Sequence, residues 1–355
     1  MEQMSLFEIK KQKSADWKWS FKDYPQKNGL KVFSCFACGG GSTMGYKLCG
    51  CEVLGCNEID PRMNKVYVAN HNPKYNYLED IRDFNKREDL PEELYNLDIL
   101  DGSPPCSTFS MVGQRGDAWG VEKKFREGQK SQTLDDLLFV FIDTVAKLKP
   151  KVAIMENVEG LMLGNAWKYV QDIYKKFHEI GYKVKHWLLK GETMGVPQTR
   201  HRVFFVATKL DFDLDEVDMY FNYEAITFGK IKEGIGAEPS EKAKILLDNA
   251  LETDTKLSQA YERVYGKISW FTHILCRDNY VMPTVVAGHD CMWRFTEKTH
   301  CSNEDYRNAQ TFPRDYDFGK EGVAYICGMS VPPVMIKRLV TRLIECGLFD
   351  YKLSN

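Results

Sequence analysis

The sequence predicts an α/β protein: a doubly wound, mostly parallel sheet covered by helices on both faces, with a second, smaller domain. Three observations predict it. Short apolar runs alternate with helix-like stretches from residue 31 to 208, the βαβ rhythm of a parallel sheet. The rhythm breaks after residue 208, at the acidic stretch Asp211, Asp213, Asp215, Glu216 and Asp218, and residues 220–290 show neither βαβ pattern nor repeat. The length of 355 residues suits one large domain and one smaller one. The expected units are 29–208 plus 323–355, then 209–322, with 1–28 as a loosely held arm carrying Lys10, Lys11 and Lys13.

Taken in order, Lys31–Phe36 reads as a strand ending in glycines, and Ser42–Leu48 as a helix. Glu52–Glu58 is β-like, and Pro61–Asn70 is helical with proline at its first turn. Leu97–Leu100 is a short buried strand. Leu134–Leu148 is a strong amphipathic helix ended by Pro150. Val152–Met155 is a strand, Ala166–Ile180 a helix stopped by Gly181, and Tyr182–Leu189 and Val203–Thr208 are strands. Pro332–Glu345 is a last helix, with prolines at its start and Gly347 just past its end. In such sheets ligands bind beyond the carboxyl ends of the strands.

Hydrophobic residues make up 43% and charged ones 28%, as in an ordinary soluble globular protein. No apolar run approaches a membrane span, and the start lacks a signal-peptide pattern, so no membrane partner is expected. A net charge of −2 excludes a uniformly basic nucleic-acid binder but not a concentrated basic patch. The 11 cysteines are expected to be free thiols of a cytoplasmic protein. Cys35-Phe36-Ala37-Cys38 has CxxC spacing, which raises a metal or redox site; with no histidine at zinc-finger spacing, buried small hydrophobes are the better reading and no metal is expected.

Three constellations carry chemistry. Phe36-Ala37-Cys38-Gly39-Gly40-Gly41-Ser42 follows the first strand, where glycines allow close backbone approach and present amides at a helix start. Glu58 ends the second strand, where a carboxylate can accept from ribose hydroxyls, and Asp80 comes after the next helix. Ser103-Pro104-Pro105-Cys106 holds a sulfur in a rigid extended turn. Glu156-Asn157-Val158 and Gln198-Thr199-Arg200-His201-Arg202 add a carboxyl and two guanidiniums beside predicted strands. Each alone reads as an ordinary core or surface residue. Together they suit thiolate addition to an electron-poor heteroaromatic ring.

These residues, in this order, resemble the cytosine-carbon-5 DNA methyltransferases, over nearly the whole length. Phe36–Gly41 resembles the cofactor loop, Pro104-Pro105-Cys106 the nucleophile loop, Glu156-Asn157-Val158 the catalytic glutamate motif, and Gln198-x-Arg200-x-Arg202 the arginine motif. Pro283-Thr284-Val285, Glu304–Phe318 and Gly328-Met329-Ser330-Val331-Pro332-Pro333 resemble the later motifs. The family usually has glycine where Cys38 stands, aspartate at Ser34, glutamine at Ser107 and asparagine at Met329.

The resemblance implies a class I methyltransferase (Rossmann-like) fold with a target-recognition domain, S-adenosyl-L-methionine as cofactor and double-stranded DNA as substrate. It further implies a cytoplasmic, bacterial or phage-encoded monomer with a cognate restriction nuclease as a further partner. Cys106, Glu156, Arg200 and Arg202 become the catalytic set. The cofactor set is Phe36, Ala37, Gly39, Gly40, Gly41, Glu58, Ile59, Asp80, Ile81, Pro105, Leu137, Ser330 and Val331. The DNA-contacting set is Ser110, Asn157, Gln198, Lys123, Lys124, Arg126 and Arg277. The basic loop Arg115–Lys130 is read as a clasp over DNA or, equally, as a solvated loop. Tyr261, Arg263, Lys267, Trp270, His273 and Arg277 are read as sequence-reading residues, or as the small domain's core. The rivals are methylation of structured RNA, a catalytically silent DNA-binding module, and a zinc or redox protein.

Overall fold

A computed structural model describes residues 11–105, 136–269, 271, 273–288 and 291–350. Its first half winds β1 (Lys31–Cys35), α1 (Gly41–Leu48), β2 (Glu52–Glu58), α2 (Pro61–His71), β3 (Tyr75–Leu78), α3 (Ile81–Lys86) and β4 (Ile99–Gly102). There follow α4 (Leu137–Leu148), β5 (Val152–Val158), α5 (Trp167–Glu179), β6 (Lys183–Lys190), β7 (Gln198–Thr199) and β8 (His201–Thr208). Seven of these strands form one sheet in the order β3-β2-β1-β4-β5-β8-β6, with β8 antiparallel to both neighbours and every other pairing parallel. The strand order reverses between β1 and β4, which places the ligand crevice outside their carboxyl ends.

The sheet is buried on both faces because alternate residues serve two cores. Phe33, Leu100, Ala153, Met155, Val203 and Phe205 face α3, α4 and α5 through Phe84, Phe141 and Phe177. Val32, Ile99, Val152, Ile154, Phe204 and Val206 face the other way, against Val334, Leu339 and Leu343 of the final helix. α2 starts as its sequence demands, with Asp60 accepting from Arg62 N at 2.8 Å and proline at the first turn.

Past β8 come α6 (Phe228–Ile231), α7 (Glu241–Asp248), α8 (Leu257–Tyr265), β9 (Ile274–Cys276), β10 (Met282–Pro283), β11 (Met292–Arg294), β12 (Thr299–His300) and α9 (Asn303–Ala309). The strands β12-β11-β9 make a small separate sheet packed on α7 and α8 through Leu246, Leu257, Leu275 and Trp293. β10 pairs instead with β7, joining the smaller unit to the edge of the larger one. The chain returns through α10 (Val323–Met329) and α11 (Pro333–Glu345). Val323–Glu345 is apolar enough by composition to cross a membrane, but it is two helices meeting at Pro332-Pro333, and most of it is buried in the protein.

Two expectations about organisation change. Residues 210–221, expected to open the small unit, lay Leu210, Phe212, Leu214, Val217, Met219 and Phe221 on the large sheet's second core. Residues 11–28, expected to hang loosely, are a strap. Gln12 exchanges backbone hydrogen bonds with residues 222 and 224. Asp16 pairs with Lys337 (3.3 Å) and Arg338. Trp17 enters the core of β10, α9 and α10, while Trp19 packs against Met44 and Phe312 and donates to Thr311 O at 2.8 Å.

Candidate active site

The site is built at the carboxyl ends of β1, β2, β4 and β5 and the start of β8. β5 runs on to Val158, so its last rungs pair Glu156 with Phe204 and Val158 with Arg202. This register brings Arg202 across to Glu156: Nε lies 2.7 Å from Oε1, with the two side chains only 14% and 10% exposed. At such burial the ion pair is worth more than one in water, and each charge depends on the other for neutralisation. Arg202 Nη1 also donates to His201 O at 2.7 Å. His201 itself lies between Glu159 (3.2 Å) and Glu192 (2.9 Å), tying the turn after β5 to the turn after β6.

Asn157, expected among the DNA-contacting residues, is buried and turned to the chain itself. Its Nδ2 donates to Pro104 O at 3.2 Å, and its Oδ1 accepts from Val158 N at 2.9 Å. The segment two residues ahead of Cys106 is thus tethered to the residue after Glu156. Cys106 lies outside the described residues, as do Ser110, the basic loop with Lys123, Lys124 and Arg126, and Trp270.

Arg200 and Gln198 are brought together by shared partners around Val285 and Ser330. Arg200, 3% exposed, donates to Val285 O at 3.1 Å, Gly328 O at 3.0 Å and Ser330 O at 2.9 Å. Burial first, then the neighbouring Arg202 charge, pushes its pKa below the usual guanidinium range. Gln198 donates to Ala309 O (2.8 Å) and Gln310 Oε1 (2.6 Å) and accepts from Val285 N (3.1 Å). Gln198 and the two terminal nitrogens of Arg200 thus hold β7, the segment after β10 and the α10–α11 turn together, while Arg200 Nε is buried with no hydrogen-bond partner among the described residues. Arg200, expected in the catalytic set, and Gln198, expected in the DNA-contacting set, both make their described hydrogen bonds to the protein itself. Arg277 is also internally held: it lies 4.2 Å over the Phe295 ring, donates to Leu251 O at 2.9 Å and approaches Glu252 at 3.6 Å.

At the cofactor loop the backbone turns sharply, with positive φ at Phe36 (55°), Cys38 (47°) and Gly40 (84°). The glycines have a reason that sequence reasoning missed. A Cβ on Gly40 would stand 2.1 Å from His71 Nε2, one on Gly41 2.2 Å from Val331 O, and one on Gly39 2.7 Å from Tyr316 Oη. These three glycines admit other parts of the protein, including Ser330 and Val331. The buried Glu58 accepts from Cys38 N (2.7 Å) and Asp60 N (2.8 Å), and desolvation raises its pKa. Asp80 caps α3, taking Arg82 N at 2.8 Å, and pairs with the Arg82 guanidinium at 3.3 Å. Phe36, Ile59, Asp80 and Pro105 remain partly exposed at these strand ends, next to the buried Ala37. Ile81 and Leu137 are sealed in the first core.

The described cysteines are all free thiols. Cys35 belongs to the first core and Cys38 to a different cluster around Met44 and Tyr316, so the CxxC pair does not converge. Of the proposed reading residues, Tyr261 meets the Phe271 ring edge-to-face, His273 Nδ1 accepts from Trp293 Nε1 at 3.1 Å, and Arg263 pairs with Asp254. Those three help to build the small unit.

Known proteins fit this architecture. The chain is 31% identical to the Type II methyltransferase M.FnuDI of Fusobacterium nucleatum over 53% of its own length, an alignment that spans about half (50%) of that relative. It is 25% identical to the Type II methyltransferase M.NgoFVII of Neisseria gonorrhoeae, with 92% of this chain and 89% of the relative covered. The solved structure of DNMT2 from Spodoptera frugiperda shares the fold, with a TM-score of 0.61 and 16% identity over 89% of this chain and 100% of that one. The family model for C-5 cytosine-specific DNA methylase matches residues 30–345, from β1 to the end of α11, and the chain belongs to that family.

Proposed function

We propose that the chain methylates carbon 5 of cytosine in duplex DNA, with S-adenosyl-L-methionine as methyl donor. The observation that carries this reading is the tether from Asn157 to Pro104. It holds Pro104, two residues before Cys106 in the chain, to the residue that follows Glu156, and so supports a reading in which thiol, carboxyl and guanidinium act together.

The donor set fits the cofactor. Each Glu58 oxygen takes one backbone amide and keeps acceptor capacity for a vicinal diol. Phe36, Ile59 and Pro105 offer partly exposed apolar surface for a purine, and Asp80 a polar edge. When bound, S-adenosyl-L-methionine supplies an electrophilic methyl group. The protein's task is to make carbon 5 nucleophilic. Thiolate addition by Cys106 at carbon 6 does this, and Glu156, hydrogen-bonded to N3, stabilises the charge that develops on the ring. Arg202 holds the cytosine oxygen while keeping Glu156 in place. Loss of the carbon 5 proton and release of the thiol complete the cycle. The base must first leave the duplex, at a cost of about a few kcal/mol. Phosphate contacts from Lys123, Lys124 and Arg126 repay part of it. The Type II names of the relatives extend the reading to modification alongside a cognate restriction nuclease.

An oligonucleotide duplex carrying 5-fluorocytosine tests the reading, since fluorine cannot leave as a proton does. A covalent complex at Cys106, seen by peptide mass spectrometry with S-adenosyl-L-methionine present, is the expected result. Absence of adduct, or adduct on tRNA alone, would overturn it. Asn157→Ala is expected to lower kcat about tenfold by freeing the Pro104 segment, with DNA affinity within about threefold. A fall in affinity that accounts for the whole loss would show instead that Asn157 meets the DNA.

A further inference from the structure

Of the buried carboxyls the mechanism leaves unused, one stands within a strand of the site. Asp101 is 1% exposed, on β4, in register with Ser34 of β1 and Ile154 of β5. It shares a sheet face with Ile99, Val152 and Ile154, and with Glu156 two residues further along β5. Both its oxygens are taken by hydroxyls of other elements. Ser34 Oγ donates to Oδ2 at 2.6 Å, and Tyr46 OH to Oδ1 at 3.1 Å. Ser34 stands two residues before Phe36, and Tyr46 lies in the helix that leaves the cofactor loop. The β1–β4 ladder ends one rung later, at Cys35 and Gly102, where the cofactor and nucleophile segments begin. The ionisable groups facing Asp101 are Tyr46 and Tyr67 from the helices, Cys35 from β1 and Glu156 from β5. Desolvation, with Glu156 adding to it against the pull of the two hydroxyls, raises the Asp101 pKa to about 7.

We propose that Asp101 is a positioning residue: with Ser34 and Tyr46 it locks the root of the cofactor loop to the root of the nucleophile loop, and so sets the geometry across which the methyl group passes. The inference rests on the cytosine-methylation reading. An apolar residue in this place would cost less to bury. What the carboxylate adds is a joint between three elements at the last rungs of the ladder. A shift of about 1 Å between reacting groups costs on the order of 10²-fold in rate, even when each ligand still binds.

The test compares the parent with Asp101→Leu and Asp101→Asn. Asp101→Leu is expected to bind S-adenosyl-L-methionine, by titration calorimetry, and duplex DNA each within about threefold of the parent, while kcat falls about 10- to 100-fold. Asp101→Asn keeps the shape and one accepting oxygen. Its kcat should equal the parent's at pH 6 and drop to about a fifth at pH 8, because only the carboxylate accepts both hydroxyls. Should Asp101→Leu not fold, Ser34→Ala and Tyr46→Phe each remove one donor and should lower kcat several-fold. Folded variants that all methylate at the parental rate would overturn the proposal. So would cofactor affinity lost in step with kcat, since that marks a binding role. A parent unable to methylate duplex DNA would overturn the functional reading and this inference together.

Discussion

Cys106→Ser is expected to stop methyl transfer, with kcat down by at least about 10³-fold and both ligands bound within about threefold of the parent. The argument is one of available nucleophiles. A serine hydroxyl does not ionise usefully at neutral pH, and the two described candidates for a general base are already engaged, Glu156 by Arg202 and His201 by Glu159 and Glu192. The cysteines from β1 to the start of β2 are poor replacements. Burial above all pushes the Cys38 and Cys51 thiols to about 12 and Cys49 to about 11, and Cys35, sealed in the core, is also pushed well up. Single-turnover transfer of a labelled methyl group to duplex DNA checks the rate, and the fluorinated duplex checks the adduct. A serine variant within tenfold of the parent would remove the covalent scheme.

The parallel half of the fold was legible because its strands are buried on both faces. Lys31–Phe36, Glu52–Glu58 and Val152–Met155 read as strands, each meeting a motif residue at the end where ligands bind. β3 was not legible: Tyr75–Leu78 is an edge strand alternating between half-buried and exposed, with an asparagine inside it. The second half hid its organisation because its contacts are remote in sequence. Nothing local to Arg200 announces Val285, Gly328 and Ser330 as partners, so it entered the catalytic set through its motif alone. The glycines of 39–41 were read as room for a ligand, whereas His71, Tyr316 and Val331 occupy that room. Trp17 and Trp19 were the missed signal in the N-terminal segment. Two large aromatics in a supposed loose arm require a surface to cover them, and the strap supplies it. Ser34 stood out only as a departure from the family's usual aspartate, and Asp101 fell just past the expected strand Leu97–Leu100; only the register shows that the hydroxyl and the carboxyl meet.

Glu156→Gln is expected to lower kcat by about 10²- to 10³-fold, the range in which a positioned proton donor contributes. The fold should survive, because a glutamine oxygen can still accept from Arg202 Nε where Glu156 Oε1 now lies at 2.7 Å. What is lost is a group able to share a proton with the ring nitrogen as charge develops. Arg202→Met provides the contrast. It leaves a buried carboxylate without its cation, and a side chain about nine-tenths covered pays for that with roughly 2–3 kcal/mol of stability, below the cost in a fully dry interior. The double variant Glu156→Gln with Arg202→Met carries no uncompensated charge, so it should melt closer to the parent than Arg202→Met alone while remaining as inactive as Glu156→Gln. Thermal unfolding and single-turnover kinetics on the same four proteins therefore separate the pair's two roles. A double variant no more stable than Arg202→Met would deny the electrostatic coupling at this burial. A Glu156→Gln enzyme near parental rate would take the carboxyl out of the chemistry and leave Arg202 as the group that meets the base.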